Sequence, residues 1–132
     1  IYGEPTPKGR AKKSKNLKVL YTPTETRIAE NNFRAQTIPF RPKEPYGVNI
    51  PLRLGCVFYR SIPKSFSKKK YQAALHQKLY PTQKPDTDNY LKLVKDAMKG
   101  IFYHDDSQIC IEYAVKKYSD TPRVEITLDS LK

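Results

Sequence analysis

The sequence predicts one small α+β domain, and three observations carry that prediction. It has 132 residues, which is room for one core and too few for two ordinary domains. Apolar residues alternate with period two in three separate stretches, the spacing of strands. Before and between these stretches lie three segments that open on helix-start signals.

The first 16 residues, IYGEPTPKGRAKKSKN, are rich in Pro, Gly and Lys. They read as a basic arm or an edge segment that touches phosphates, with a short strand over Ile1–Gly3. Leu17–Tyr21 follows as a strand. Thr22 suits an N-cap, Pro23 the first helical position, and Glu25 the far side of a capping box, so a helix runs from there to about Gln36. Pro39, Pro42 and Pro45 then punctuate a loop that ends at Gly47.

Val48 to Phe58 is the clearest strand, because Val48, Ile50, Leu52, Leu54, Cys56 and Phe58 all fall on one face. Pro51 inside that run predicts an edge strand or a bulge. Ser65 or Ser67 caps a second helix reaching about Leu79. Lys68, Lys69 and Lys70 stand in its first turn, where the helix end already attracts anions. Thr87 or Asp88 caps the third helix, and Gly100 marks its stop. Tyr90, Leu91, Leu93, Val94, Ala97, Met98 and Ile101 form its broad apolar stripe, and Lys92 lies one turn from Asp88 on the open face. Ile109, Ile111, Tyr113 and Val115 alternate, as do Val124, Ile126 and Leu128. A turn near Asp120-Thr121-Pro122 joins them as a hairpin.

Charge narrows the function. Lys and Arg number 25 against 13 acids, a net charge of +12. Residues 1–85 hold 18 basic and 4 acidic side chains, whereas residues 86–132 hold 7 basic and 9 acidic ones. A basic body with a local carboxylate cluster suits a polyanion binder, and nucleic acid above all. No run approaches the roughly 18 apolar residues of a membrane helix, and the start lacks the layout of a secretory signal. A cytoplasmic setting is expected, with no membrane partner. Cys56 and Cys110 each sit in a strand-like apolar run and read as two buried free thiols, not a disulfide or zinc site.

Four acids flank the third helix: Asp86 and Asp88 before it, Asp105 and Asp106 after it. Clustered carboxylates repel, and a divalent cation removes that penalty. With no His or Cys at zinc spacing, Mg²⁺ or Mn²⁺ is the natural ion. Beside a phosphodiester such an ion polarises the phosphate and acidifies a water, while a lysine adds positive charge. Asp88 reads equally well as a helix cap. His76 and His104 read as a helix-surface and a turn residue. The two acid pairs lie at opposite ends of a helix of about 21 Å, so they meet only if a loop folds back or a second subunit joins the site.

The string Lys84-Pro-Asp-Thr-Asp-Asn-Tyr-Leu-Lys92, then Tyr103-His-Asp-Asp-Ser-Gln-Ile109, resembles the RusA family of Holliday junction resolvases. That family's signature is Lys-Pro-Asp-x-Asp-Asn with a Lys four residues after the second Asp, followed by Asp-Asp-x-Gln-Ile/Val. Gly3-x-Pro-x-Pro-Lys-x-Arg10 and Ser67-Lys-Lys-Lys70 resemble further segments of the family, although Arg10-Ala11-Lys12 departs from its common Arg-Pro-Arg. The resemblance implies one α+β domain over residues 1–132, with a mixed β-sheet and about three helices, in a homodimer. It implies that Asp86, Asp88, Asp106 and Lys92 are catalytic, that Asp86, Asp88, Asp105 and Asp106 hold Mg²⁺ (with Mn²⁺ able to substitute), and that no small-molecule cofactor is needed. Arg10, Lys12, Lys13, Lys68, Lys69 and Lys70 would grip DNA. The implied activity is paired, symmetric nicking of four-way junctions in recombination and repair, in a bacterial or phage-infected cell. The competing readings are a non-catalytic basic nucleic-acid-binding module and a nuclease acting on other branched DNA.

Overall fold

One strand organises the molecule, and its alternation explains why. In the computed structural model, which describes residues 1–9, 12–13, 20–21 and 24–132, the hairpin strands β1 (Lys12–Lys13) and β2 (Leu20–Tyr21) pair antiparallel. Helix α1 spans Thr24–Thr37, β3 spans Leu52–Ser61, α2 spans Lys68–Leu75, α3 spans Thr87–Met98, β4 spans Ile109–Ser119 and β5 spans Arg123–Ser130. Short 3-10 turns cover Ile38–Phe40 and Asp106–Gln108. The expected cap at Thr22 and Pro23, the start of the Leu17–Tyr21 strand and Arg10 lie outside the described residues.

The main sheet has the order β4-β3-β5, with β3 parallel to β4 and antiparallel to β5. Leu52, Leu54, Cys56 and Phe58 are fully buried, so the even face of β3 meets Phe33 of α1 and Tyr90, Leu91, Val94, Ala97 and Met98 of α3. Phe58 stacks on Tyr90 with ring centroids 5.0 Å apart. Burying an aliphatic or aromatic side chain stabilises by roughly 1.5–3 kcal/mol. Packing of that size holds α3 in place whatever its N-cap does. Ile62, Ala74 and Tyr118 form a second, smaller cluster under α2.

Five expectations need correction. Of the edge strand or bulge expected at Pro51, the edge strand is wrong and the irregularity is present one residue on. Pro51 immediately precedes β3, which is the central strand, and the register against β4 shifts at Leu52/Arg53. Val48 lies in a turn and is exposed, so the period-two pattern outran the strand. β4 and β5 do not form a hairpin: they flank β3, and the link between Ser119 and Arg123 carries the chain across the end of β3. The Ser119 hydroxyl accepts bonds from the Thr121 N–H and the Arg123 guanidinium, which fixes that crossing. Cys110 is exposed while Cys56 is buried. Helix α2 also stops at Leu75 instead of Leu79, because Gln77 turns left-handed at φ 65°. The N–H groups of Lys78 and Gln77 then bond the carbonyls of Ala73 and Ala74, closing the helix end.

The first nine residues are docked rather than loose. Ile1 and Val124 exchange backbone bonds, Tyr2 bridges Arg123, and Gly3 N–H bonds the Pro122 carbonyl. Ile1–Gly3 therefore covers the start of the outer edge of β5, at Pro122–Val124, the edge-segment alternative. Lys8 N–H bonds the Asn89 carbonyl on α3, and Gly9 N–H bonds the hydroxyl of buried Thr26 on α1. No helix among the described residues is long and apolar enough to cross a membrane.

Candidate active site

Helix α3 begins with an unusual economy of bonds. Asp86 occupies its N-cap position, yet its carboxylate accepts no capping bond. A side-chain cap is worth about 1 kcal/mol, and packing of the α3 stripe outweighs its loss. Asp86 and Asp88 are both exposed there, with Asp88 in the first turn, where the helix dipole favours a negative charge.

The two acids after α3 are handled differently. Asp105 caps the turn at Asp106–Gln108: it accepts bonds from the Ser107 N–H and hydroxyl, and lies 3.3 Å from the Lys99 ammonium. The Ser107 bonds, with Lys99 behind them, hold its carboxyl down to about 2. Asp106 is half-buried and accepts a bond at 3.0 Å from the hydroxyl of fully buried Tyr103. That hydroxyl also lies 2.8 Å from the Lys95 carbonyl. Burial, reinforced by the Asp106 charge, raises the Tyr103 phenol far above its ordinary range, so it stays a donor.

Gln108 sets the turn's position. Its side-chain oxygen accepts the N–H groups of His104 and Asp105, at 2.8 and 3.1 Å. Its amide nitrogen donates to the carbonyls of Gly47 and Ile50, at 2.7 and 3.2 Å. One buried amide thus ties the acid turn to the loop that leads into β3.

These elements enclose a groove of about 520 Å³ between α3 and β4. Asp88, Lys92, Lys95 and Asp96 line one wall, Glu112 and Ala114 the other, and Asp106 the end. The fold therefore places Asp88, Lys92 and Asp106 in the lining of one groove. Asp86 stands at the helix start outside its lining, and Asp105 is turned away into its cap.

Charges in the groove divide into paired and unpaired. Lys95 pairs with Glu112 at 3.3 Å, and Lys8 bridges Glu30 at 2.8 Å and Asp96 at 3.0 Å. Partial burial pulls the Lys8 ammonium down, but its bonds to Glu30 and Asp96 prevail and raise it. Among the described residues, Asp86, Asp88, Lys92 and Asp106 enter no ion pair. No three His, Cys, Asp or Glu side chains among the described residues stand close enough to enclose a metal ion by themselves. The donors fit a hard divalent cation in another way: Mg²⁺ binds through one or two carboxylates and completes its shell with water and substrate phosphate.

Lys68, Lys69 and Lys70 are exposed in the first turn of α2, with the Lys70 ammonium 4.2 Å from the Phe66 ring centroid. Lys12 and Lys13 form β1. His76 ends α2 and His104 sits in a turn, both exposed, as expected. Sequence reasoning missed the groove roles of Lys8, Lys95, Asp96, Tyr103 and Glu112. Asp96 lies eight residues past Asp88, two turns along α3, which was the available signal. Lys8 was marked only as part of the Gly3–Arg10 segment, nothing local marked Glu112, and both arrive from other elements.

A basic domain with a carboxylate-and-lysine groove is the build of an enzyme that works on a nucleic-acid phosphodiester. The model of the family Endodeoxyribonuclease RusA matches residues 2–129, and the chain belongs to that family. It is accordingly an endodeoxyribonuclease, a hydrolase acting on DNA. It is 33% identical over 105 residues to a protein of Lactococcus phage r1t named crossover junction endodeoxyribonuclease rusA, covering 77% of this chain and 73% of the relative. It is also 38% identical over 132 residues to the uncharacterized protein YqaN of Bacillus subtilis strain 168, covering 97% of this chain and 92% of that one.

Proposed function

We propose that this chain is a divalent-metal-dependent resolvase of four-way DNA junctions, acting as a homodimer in recombination and repair and making paired symmetric nicks. The observation that carries the reading is the groove that Asp88, Lys92 and Asp106 all line without ion-pair partners among the described residues. The name of the phage relative, a crossover junction endodeoxyribonuclease, supports the junction as substrate.

Asp88 and Asp106 hold Mg²⁺ or Mn²⁺ together with DNA phosphate, and Asp86, free of capping duty, stands ready to join them. When bound, the ion polarises the scissile phosphate and acidifies a water. Lys92 brings its ammonium to the phosphate where negative charge develops. Tyr103 fixes the Asp106 oxygen, while Lys8 and Lys95 neutralise Asp96 and Glu112. The groove then presents two carboxylates and one ammonium to DNA, not four carboxylates. Lys68, Lys69, Lys70, Arg10, Lys12 and Lys13 grip phosphates of the junction arms, which makes binding strongly salt-dependent. A two-fold dimer presents one groove to each of two opposed strands.

The test is a labelled synthetic four-way junction in Mg²⁺, beside an EDTA control and linear duplex. Symmetric, metal-dependent nicks in the junction alone are expected. Asp88→Asn and Asp106→Asn should abolish cleavage while binding survives or tightens. Lys92→Ala should cost more cleavage than Ala at Lys68, Lys69 or Lys70. Cleavage of flaps as fast as junctions would replace the junction with branched DNA in general. Full cleavage by Asp88→Asn would overturn the assignment of the groove.

A further inference from the structure

A carboxylate is aimed by the two peptide planes that meet at its α-carbon, since each plane is rigid. At Asp86 both planes are pinned. The carbonyl of the plane that follows it accepts the N–H groups of Asn89 and Tyr90, at 3.2 and 3.3 Å. The carbonyl of the plane that precedes it, that of Pro85, accepts a bond from the Lys116 ammonium at 3.1 Å. The Asp86 backbone is thereby fixed at φ −70° and ψ 156°. With no capping bond on its carboxylate, only side-chain rotation is left to it.

Lys116 reaches this peptide from the sheet. Its partner on β3 is Phe58, whose buried ring stacks on Tyr90, so the lysine stands on the helix side of β4, as Glu112 and Ala114 do. The same ammonium donates to the Gln83 carbonyl at 2.8 Å. The Arg60 guanidinium, two residues past Phe58 on the same face of β3, donates to that carbonyl at 3.1 Å. Residues 79–85 enter no backbone–backbone hydrogen bond among the described residues, and Pro81 and Pro85 have no N–H to give. Burial of Pro81 holds the start of this segment, whereas its end, next to Asp86, depends on the three bonds from Lys116 and Arg60.

The choice of residue is informative as well. An ammonium at the start of α3 opposes the helix dipole. Among the described residues neither Lys116 nor Arg60 has an ion-pair partner to offset that. What a lysine supplies there is length and three donors, enough to reach two carbonyls at once from the sheet.

We infer that Lys116, assisted by Arg60, is a positioning residue of the reaction: it holds the Pro85–Asp86 peptide so that the Asp86 carboxylate meets the cation bound by Asp88 and Asp106. The inference rests on the reading of Asp86 as a metal ligand and names what aims it. Outer partners that orient metal ligands are worth roughly 10–100-fold in metal affinity or activity.

The test is Mn²⁺ binding to the full chain in complex with a synthetic four-way junction, read from the free-ion EPR signal against junction alone. All chains carry Lys92→Ala to keep the junction whole, and circular dichroism checks folding. Lys116→Met should weaken Mn²⁺ binding roughly 10-fold or more. Arg60→Met should weaken it less, because its bond ends at Gln83, farther from Asp86. Lys116→Arg, which keeps donors for both carbonyls, should retain most of the affinity. In an Asp86→Asn background Lys116→Met should cause no further loss, a result that general damage to the fold would not give. Junction affinity in EDTA should not change. If Lys116→Met fails to fold, the smaller Arg60→Met loss, present with Asp86 and absent in Asp86→Asn, decides the same question. Equal losses with and without the Asp86 carboxylate would overturn the positioning role and leave the metal reading standing. Weaker junction binding with Mn²⁺ affinity intact would make Lys116 a phosphate anchor instead. Mn²⁺ binding indifferent to Asp86→Asn would overturn the reading of Asp86 as a ligand, and the positioning role with it.

Discussion

Gln108 offers the sharpest test of how the acid turn is held. Replacing it with Ala removes four hydrogen bonds, two received from His104 and Asp105 and two given to Gly47 and Ile50. A typical hydrogen bond contributes about 1 kcal/mol net, which sets an upper figure of about 4 kcal/mol. His104, Asp105 and Gly47 are exposed residues whose freed backbone groups can regain water. The expected loss is therefore about 2–3 kcal/mol, or a fall of roughly 6–15 °C in Tm for a domain of this size. Urea denaturation measures the free energy directly. Gln108→Glu sharpens the test, because a carboxylate can still accept the two N–H groups but repels the Gly47 and Ile50 carbonyls. Its folded pKa must rise above the unfolded value of about 4.3. The native state then holds more protons than the unfolded state between those two values, so stability relative to wild type falls as pH rises through that window. Gln108→Glu should lie close to wild type near pH 4 and well below it at pH 7. A Gln108→Ala protein within 0.5 kcal/mol of wild type, taken as roughly the effect of an inert surface change, would refute the reasoning. So would a Gln108→Glu penalty that does not change with pH.

Other perturbations probe separate parts of the site. Tyr103→Phe should destabilise by about 1–3 kcal/mol, the worth of a hydrogen bond to a charged group, and raise the Mg²⁺ concentration for half-maximal cleavage without weakening junction binding. An unchanged metal requirement would remove Tyr103 from the site. Asp105 should titrate in NMR with a midpoint near 2, so its contribution to stability is complete above its ordinary value of 3.8 and is lost as pH falls through about 2. Ser107→Ala should move that midpoint up further than Lys99→Ala, because the Ser107 bonds are the larger cause. Cys56, whose thiol burial and the Glu112 charge push up to about 12, should resist a thiol reagent in the native protein while Cys110 reacts at once. Both should react in urea, and two reactive native thiols would contradict the packing around β3.

Much of this architecture was legible because the apolar periodicity and the physical need coincided. The buried even face of β3 and the stripe of α3 followed from spacing alone, since a misplaced Leu54 or Val94 would have had nowhere else to go. Pairing was not legible in the same way. Period two tells which residues share a face, but it is silent on which strand lies alongside. A three-residue link suggested a hairpin, yet Arg123 enters the sheet on the far side of β3. In β4 the alternation itself misled: Ile111 and Tyr113 marked an apolar face correctly, but that face is the one turned away from the helices. Tyr113 nonetheless packs across Gly55, where a β-carbon would run into its ring. Asp88, Lys92 and Asp106 were legible through the motif, whereas their convergence needed Gln108 to place the turn, and Lys8 reached Asp96 from far along the chain.

The topology also dictates an order of assembly. β3 occupies residues 52–61, yet both of its partners, β4 and β5, lie beyond residue 108. A growing chain can form α1, α2 and α3 early, but the sheet must wait for strands that emerge last. Pairings this distant in sequence close large loops and slow folding. Until they form, β3 carries two bare edges and an apolar face, the features that make incomplete chains self-associate. Nascent chains ending before Ile109 should accordingly be the aggregation-prone species. Full-length chains should acquire protection of β3 amides in one late step that also brings Asp106 to the groove that Asp88 lines. The groove and the sheet then mature together, so a half-made chain has no assembled groove with which to cut DNA.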